Sequence, residues 1–224
     1  MKSLSGLARM LLAAGLPLLL CGCAGISAGP DSQGNSLYIN LNDFPLYAKN
    51  GFDPAHIASV PDRADGSWRV KGPEERRKAA KIRSLGLPET PERVFLSPFR
   101  ERDREYTLLI PFAVTPEQFA LLRGKKPVQP GLFLAALGNN WEVFFNGRLI
   151  RSEAHLDDDG QIKSGRGWRY ISLPLDSSLF VPGTNMLAFR IIGAPNADTT
   201  GLWYEEPYYI GEYQAILKNH NESL

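Results

Sequence analysis

The chain of 224 residues is predicted to be mostly β, an antiparallel jelly-roll β-sandwich with one or two short helices. Three observations carry this expectation. From Tyr106 to Ile210 there are six short segments rich in aromatic and β-branched residues, separated by Gly, Asn, Pro and Asp. No amphipathic helices alternate with them, as a parallel sheet would require. The 21 glycines and 17 prolines are scattered, which favours many turns over long helices.

The N-terminus reads MKSLSGLARMLLAAGLPLLLCGCAG. Lys2 and Arg9 form a positive region ahead of the apolar run Met10 to Leu20, too short for a comfortable bilayer span and suited to a signal-peptide core. The run ends in Leu20-Cys21-Gly22-Cys23, which resembles the bacterial lipobox, Leu-x-(Gly/Ala/Ser)-Cys. The resemblance implies cleavage after Gly22 and a diacylglyceryl group on the Cys23 thiol. Cys21 fits worse, because bulky Leu20 would precede it. A blocked Cys23 leaves no disulfide, although the compartment permits them. No later stretch approaches 18 continuous apolar residues, so the lipid is the predicted anchor. Loss of Lys2 and Arg9 turns the formal charge of +1 slightly negative, too little basic excess for a nucleic-acid surface.

The expected organisation is a leader over 1–22, a Gly/Ser-rich tether over 23–36, a sandwich over 37–217 and a tail over 218–224. The sandwich is best supported over 106–217. Leu37 to Leu41 alternates as a first strand. Residues 45–98 read as irregular and proline-rich, with a helical stretch over 74–85 whose basic cluster (Arg76, Arg77, Lys78, Lys81, Arg83) reads as a solvated face. Strands are then expected at Tyr106–Val114, Gly131–Leu137, Trp141–Phe145, Trp168–Leu173, Met186–Ile192 and Tyr208–Ile210, with helices at Pro116–Arg123 and Tyr213–Asn219.

Two segments are more specific. Trp141-Glu142-Val143-Phe144-Phe145 runs into Asn146-Gly147 and out into a second strand, a hairpin signal because both turn residues tolerate positive φ. Leu173-Pro174-Leu175 is followed by Leu179-Phe180-Val181-Pro182-Gly183-Thr184-Asn185-Met186-Leu187. The order W-E-V-x-x-N-G, L-P-L, L-x-x-P-G-x-N-x-L resembles the galactose-binding-like jelly roll. That domain is the sugar-binding domain of family 2 glycoside hydrolases. The resemblance is closer to the extracytoplasmic domains of seven-transmembrane receptors with diverse intracellular signalling modules. It implies a ligand-recognition module. With no effector following before Leu224, any signalling output is expected from a partner, or there is none.

Catalytic signatures are missing from the sequence. His56, His155 and His220 have no metal-ligand spacing, and neither a GxSxG nor a phosphate-binding loop occurs. The chain is therefore read as non-catalytic and without a cofactor. His155-Leu156-Asp157-Asp158-Asp159-Gly160 clusters oxygen ligands, with Asp157 and Asp159 as weak candidates for a structural calcium. A solvated Asp-Gly turn is the favoured reading.

Arg166 and Trp168 pair a cation with a ring that would stack on a sugar, or Trp168 begins a strand and packs inside. The stretch NADTTGLWYEEPYY, residues 196–209, is the most unusual: Trp203, Tyr204, Glu205 and Tyr208 are read as a stacking and hydrogen-bonding set on a rim loop. The alternative, that these aromatics plug the end of the sandwich, stands equal.

The expected function is a lipid-anchored envelope protein presenting a ligand-binding module, with a small molecule or saccharide as ligand and no nucleic acid. It would face the periplasm or the cell surface and report to a membrane signalling protein. The alternatives are a structural or assembly lipoprotein binding another envelope protein, and an accessory carbohydrate-binding component of a glycan-degrading system.

Overall fold

The computed structural model describes residues 36–62, 65–74, 104–134, 140–159, 163, 170–193 and 208–222. They form ten strands, all paired antiparallel, in two sheets. In chain order these are β1 (Tyr38–Asn40), β2 (Leu46–Asn50), β3 (Arg69–Lys71), β4 (Arg104–Val114), β5 (Pro130–Leu134), β6 (Asn140–Phe145), β7 (Arg148–Ser152), β8 (Ile171–Pro174), β9 (Gly183–Gly193) and β10 (Tyr209–Glu212). The helices are α1 (Pro116–Arg123) and α2 (Tyr213–Glu222).

One sheet has the order β1-β10-β5-β8 and the other β3-β2-β4-β9-β6-β7. From β4 onward the chain changes sheet at every connection except the β6–β7 hairpin. Sequence-distant strands therefore lie side by side: β4 against β9, and β5 between β8 and β10. This is the nested wrapping expected of a jelly roll.

The core is built by alternation. Leu108, Ile110 and Phe112 of β4, Trp141, Val143 and Phe145 of β6, and Leu187, Phe189 and Ile191 of β9 point to the facing sheet. They meet Leu132, Leu134, Ile171, Leu173 and Ile210 from the four-stranded sheet. All are buried. Each such side chain contributes about 1.5–3 kcal/mol by leaving water.

The predicted hairpin forms as a two-residue turn, with Asn146 at φ 46° and Gly147 at φ 82°. Its register slips once, leaving Ile150 as an extra residue in β7. Helix α1 starts with a capping box: Thr115 Oγ1 accepts from the Gln118 N–H while the Thr115 N–H donates to Gln118 Oε1.

The structure corrects several boundaries. The stretch read as irregular contains β2 and β3. Gly183, Thr184 and Asn185 belong to β9 rather than to a turn, and α2 continues to Glu222. β1 stops at Asn40, where a short 3-10 turn begins. Tyr170 precedes β8, which starts at Ile171. The helix expected over 74–85 lies, apart from its first residue, outside the described residues, as does the 135–137 extension of β5.

Both outer faces are partly roofed. Helix α2 lies on the outer face of the four-stranded sheet, above Gly131. A Cβ there would stand 2.7 Å from the Tyr213 ring and 3.1 Å from Ile216, so the absence of a side chain lets the helix approach. The segment after β2 roofs the six-stranded sheet. Phe52, Ile57 and Trp68 pack with Tyr47, Leu109, Phe144, Met186 and Ala188 in a second, smaller apolar cluster. No helix among the described residues is long and apolar enough to cross a membrane.

Candidate functional site

Strand register gathers the roots of three connections at one edge. In the six-stranded sheet, Arg104 pairs with Gly193, Asn140 with Ile192 and Glu142 with Ser152. In the four-stranded sheet, Tyr209 pairs with Phe133 and Leu134 with Ile171. The connections 135–139, 153–170 and 194–208 all leave from these ends. Of the residues singled out from the sequence, Arg166, Trp168, Trp203, Tyr204 and Glu205 belong to them and lie outside the described residues, as does Cys23.

Tyr208 is described, and of the two readings left open it follows the packing one. It is 0% exposed and part of the central core. Successive strand residues face opposite sides, so Tyr208 points inward and its neighbour Tyr209 outward. Tyr208 is thus a packing residue and leaves the ligand set. Asp157 and Asp159 are also described. Asp157 Oδ1 accepts the Asp159 N–H at 3.0 Å, an Asx turn that stabilises the loop locally. Among the described residues no group of three His, Cys, Asp or Glu side chains is arranged to hold a metal.

At the same edge sits a polar cluster that the sequence did not signal. Glu153 is 6% exposed, and Arg151 donates to its Oε1 from Nε at 3.0 Å. His155 Nε2 stands 3.8 Å from Glu153 Oε2. The His155 N–H donates to Oδ1 of buried Asn140 at 2.7 Å, and the Glu153 N–H to the Trp141 carbonyl at 2.8 Å. A buried carboxylate needs such partners to remain charged. Together these bonds fix where the 153–170 connection leaves the sheet.

A second polar constellation crosses the outer face of the six-stranded sheet. Register sets Lys49, Thr107, Arg190, Glu142 and Ser152 in one row across five strands. Arg190 pairs with Glu105 and, at 3.1 Å, with Glu142, and lies over the Phe52 ring. Burial works against the Arg190 charge, and the bonds to the two glutamates more than offset it, so its pKa is raised. Thr107 Oγ1 donates to the Gly51 carbonyl and accepts the Asp53 N–H. Lys49 Nζ donates to Asp53 Oδ2 at 2.7 Å, and His56 Nδ1 stands 3.1 Å from Asp53 Oδ1. These contacts fasten the segment carrying Phe52 and Ile57 to the sheet.

The bond from Lys49 holds the Asp53 carboxyl below the usual aspartate range, with His56 adding to it against a smaller opposing effect of burial. A folded-state pKa below the unfolded one adds stability that is full above the unfolded value. It is lost as pH falls through the folded value. Asp53→Asn is therefore expected to flatten the acid limb of a stability–pH curve, read by chemical denaturation below the normal aspartate range. A limb unchanged by the substitution would show that the Asp53 contacts contribute nothing.

The fold defines the class: this chain is an antiparallel β-sandwich protein. No protein-family model matches it, and no curated protein does. Among solved structures it is similar to a glycosyl hydrolase family 2 member from Bacteroides cellulosilyticus, at 12% identity over 78% of this chain and 20% of that one, with a TM-score of 0.45. It is also similar to a β-glucuronidase from Ruminococcus gnavus in complex with D-glucaro 1,5-lactone, at 12% identity over 82% and 30% of the two chains, with a TM-score of 0.46. A β-glucuronidase from Bacteroides uniformis matches at 15% identity over 79% and 18%, with a TM-score of 0.47. The chain thus spans under a third of the length of these enzymes.

Proposed function

We propose that this chain is a lipid-anchored protein of the cell envelope whose β-sandwich binds a small ligand, with a saccharide as the favoured class, and performs no catalysis. The observation that carries the reading is the gathering of the 135–139, 153–170 and 194–208 connections at one edge of the sandwich. Loops rooted on rigid strands are where such folds place recognition. By sequence, Arg166, Trp168, Trp203, Tyr204 and Glu205 fall within these connections, and their side-chain types suit stacking and hydrogen bonding to a polyol. Glu105 and Glu142 are engaged by one guanidinium, which fits a structural rather than a proton-transferring role. The Leu20-Cys21-Gly22-Cys23 sequence supports the anchor.

Two measurements on the full chain test the reading. Metabolic labelling with palmitate is expected to mark the wild type and to fail in Cys23→Ser; persistent label would remove the anchor. Thermal denaturation of the purified protein against a panel of mono- and disaccharides is expected to show saturable stabilisation, which follows from binding to the folded state alone. Trp203→Ala is expected to abolish it. Stabilisation retained in Trp203→Ala, or none by any sugar, would overturn the rim assignment.

A further inference from the structure

The outer face of the four-stranded sheet is only partly covered by α2. Beside the helix, four aromatic rings form a continuous row across β1, β10 and β5 to the entry of β8. Tyr38 of β1 lies 5.4 Å from Tyr209 of β10, Tyr209 lies 5.2 Å from Phe133 of β5, and Phe133 lies 5.7 Å from Tyr170, just before β8. The interplanar angles of 36°, 31° and 17° mean that the rings overlap like shingles. Tyr38 is 40% exposed and Tyr170 46%, while Tyr209 and Phe133 are partly exposed.

Glycine shapes the row. The strand partner of Tyr38 is Gly211, and the Tyr209 ring leans over that bare position, 3.4 Å from where a Cβ would be. A solvent-facing sheet face is ordinarily polar, and a contiguous apolar strip on it marks an interaction site.

We propose that Tyr38, Tyr209, Phe133 and Tyr170 form a binding platform for an extended, neutral polysaccharide strand, separate from the rim site. Three features select this ligand. The row is made of phenol and phenyl rings, all uncharged at neutral pH. That matches an uncharged partner better than a phosphate headgroup. The four rings are each at least partly exposed, which suits a chain laid across them.

Its chemistry is mixed as well: rigid rings for the C–H faces of pyranoses, and phenol groups, one bonded to Asn219, for their hydroxyls. The row borders the rim, since Tyr170 closes the 153–170 connection, but it shares none of Arg166, Trp168, Trp203, Tyr204 and Glu205, so substitutions separate the two sites.

The test is co-sedimentation of the full-length protein in detergent with amorphous cellulose and with chitin, alongside anionic phospholipid vesicles mixed with the unlipidated Cys23→Ser chain. Retention on at least one glycan is expected. Tyr38→Ala and Tyr209→Ala should each weaken it about tenfold, equivalent to about 1.4 kcal/mol. Tyr170→Ser, outside the strands, should weaken it without touching sheet pairing, and Trp203→Ala should leave it unchanged. The proposal is overturned if the glycans are not retained, if the row variants bind as wild type does, if Trp203→Ala alone abolishes retention, or if the row variants instead lose binding only to vesicles.

Discussion

Replacement of Asn185 by alanine is expected to destabilise the protein by about 3–4 kcal/mol and to lower its melting temperature by roughly 8–15 °C. The side chain is 1% exposed, and its hydrogen-bonding capacity is used on both sides. Oδ1 accepts from the Val181 N–H at 2.9 Å and from Asn146 Nδ2 at 2.9 Å; Nδ2 donates to the Val181 carbonyl at 2.8 Å and to that of Gly183 at 3.1 Å. Asn146 extends the network, donating to the Leu179 carbonyl and accepting the Met186 N–H.

Two asparagines thus lock the β6–β7 turn to the β8–β9 connection at the end of the sandwich opposite the rim. Alanine would leave several buried groups unpaired, each costing about 1–3 kcal/mol. Asn185→Asp keeps the acceptor but turns a carboxylate oxygen toward the Val181 and Gly183 carbonyls in a buried site, so a loss at least as large as alanine's is expected. A cost below about 1 kcal/mol for alanine, measured by denaturant unfolding, would contradict the clip.

The second large effect separates two adjacent tyrosines. Tyr208→Ala should cost about 3–5 kcal/mol, the range for emptying a large aromatic site in a core. Tyr209→Ala should cost no more than about 1 kcal/mol, since it loses ring contacts and a hydrogen bond with Asn219 on a solvent-facing surface. Thermal and denaturant unfolding of the two variants read this directly. Equal costs, or the reverse order, would mean that the strand entering the sheet is out of register by one residue.

Much of the architecture is legible in single stretches of sequence. Asn146-Gly147 announces its hairpin because few residues accept positive φ at both turn positions. The strands β4, β6 and β9 announce themselves by aromatic and β-branched content. β2 does not, for a physical reason: Leu46, Tyr47 and Ala48 are all buried, since one side meets the core and the other meets Trp68 and its neighbours. A strand roofed on both faces loses the alternation that would reveal it. β3 is a short edge strand with Arg69 and Val70 exposed, and has no pattern to read.

The candidate sites divide in the same way. The aromatic run near 203–209 stands out in sequence, yet choosing between Tyr208 and Tyr209 requires strand parity. The polar row on Arg190 and the ring row on Tyr209 were invisible because their members are far apart in the chain. Tyr38, Phe133, Tyr170 and Tyr209 become neighbours only when β1, β10, β5 and the entry to β8 align.

By itself, then, the sequence determined the local choices: most of the strand content, the Asn146-Gly147 turn and the α1 helix. Each depends on residues within a few positions of one another, where backbone sterics and short-range hydrogen bonds decide. Only the tertiary structure decided which side of each strand faces solvent, which polar groups meet across strands, and which outer face stays open. Those outcomes depend on register and on what covers each sheet, and both arise from contacts between distant parts of the chain.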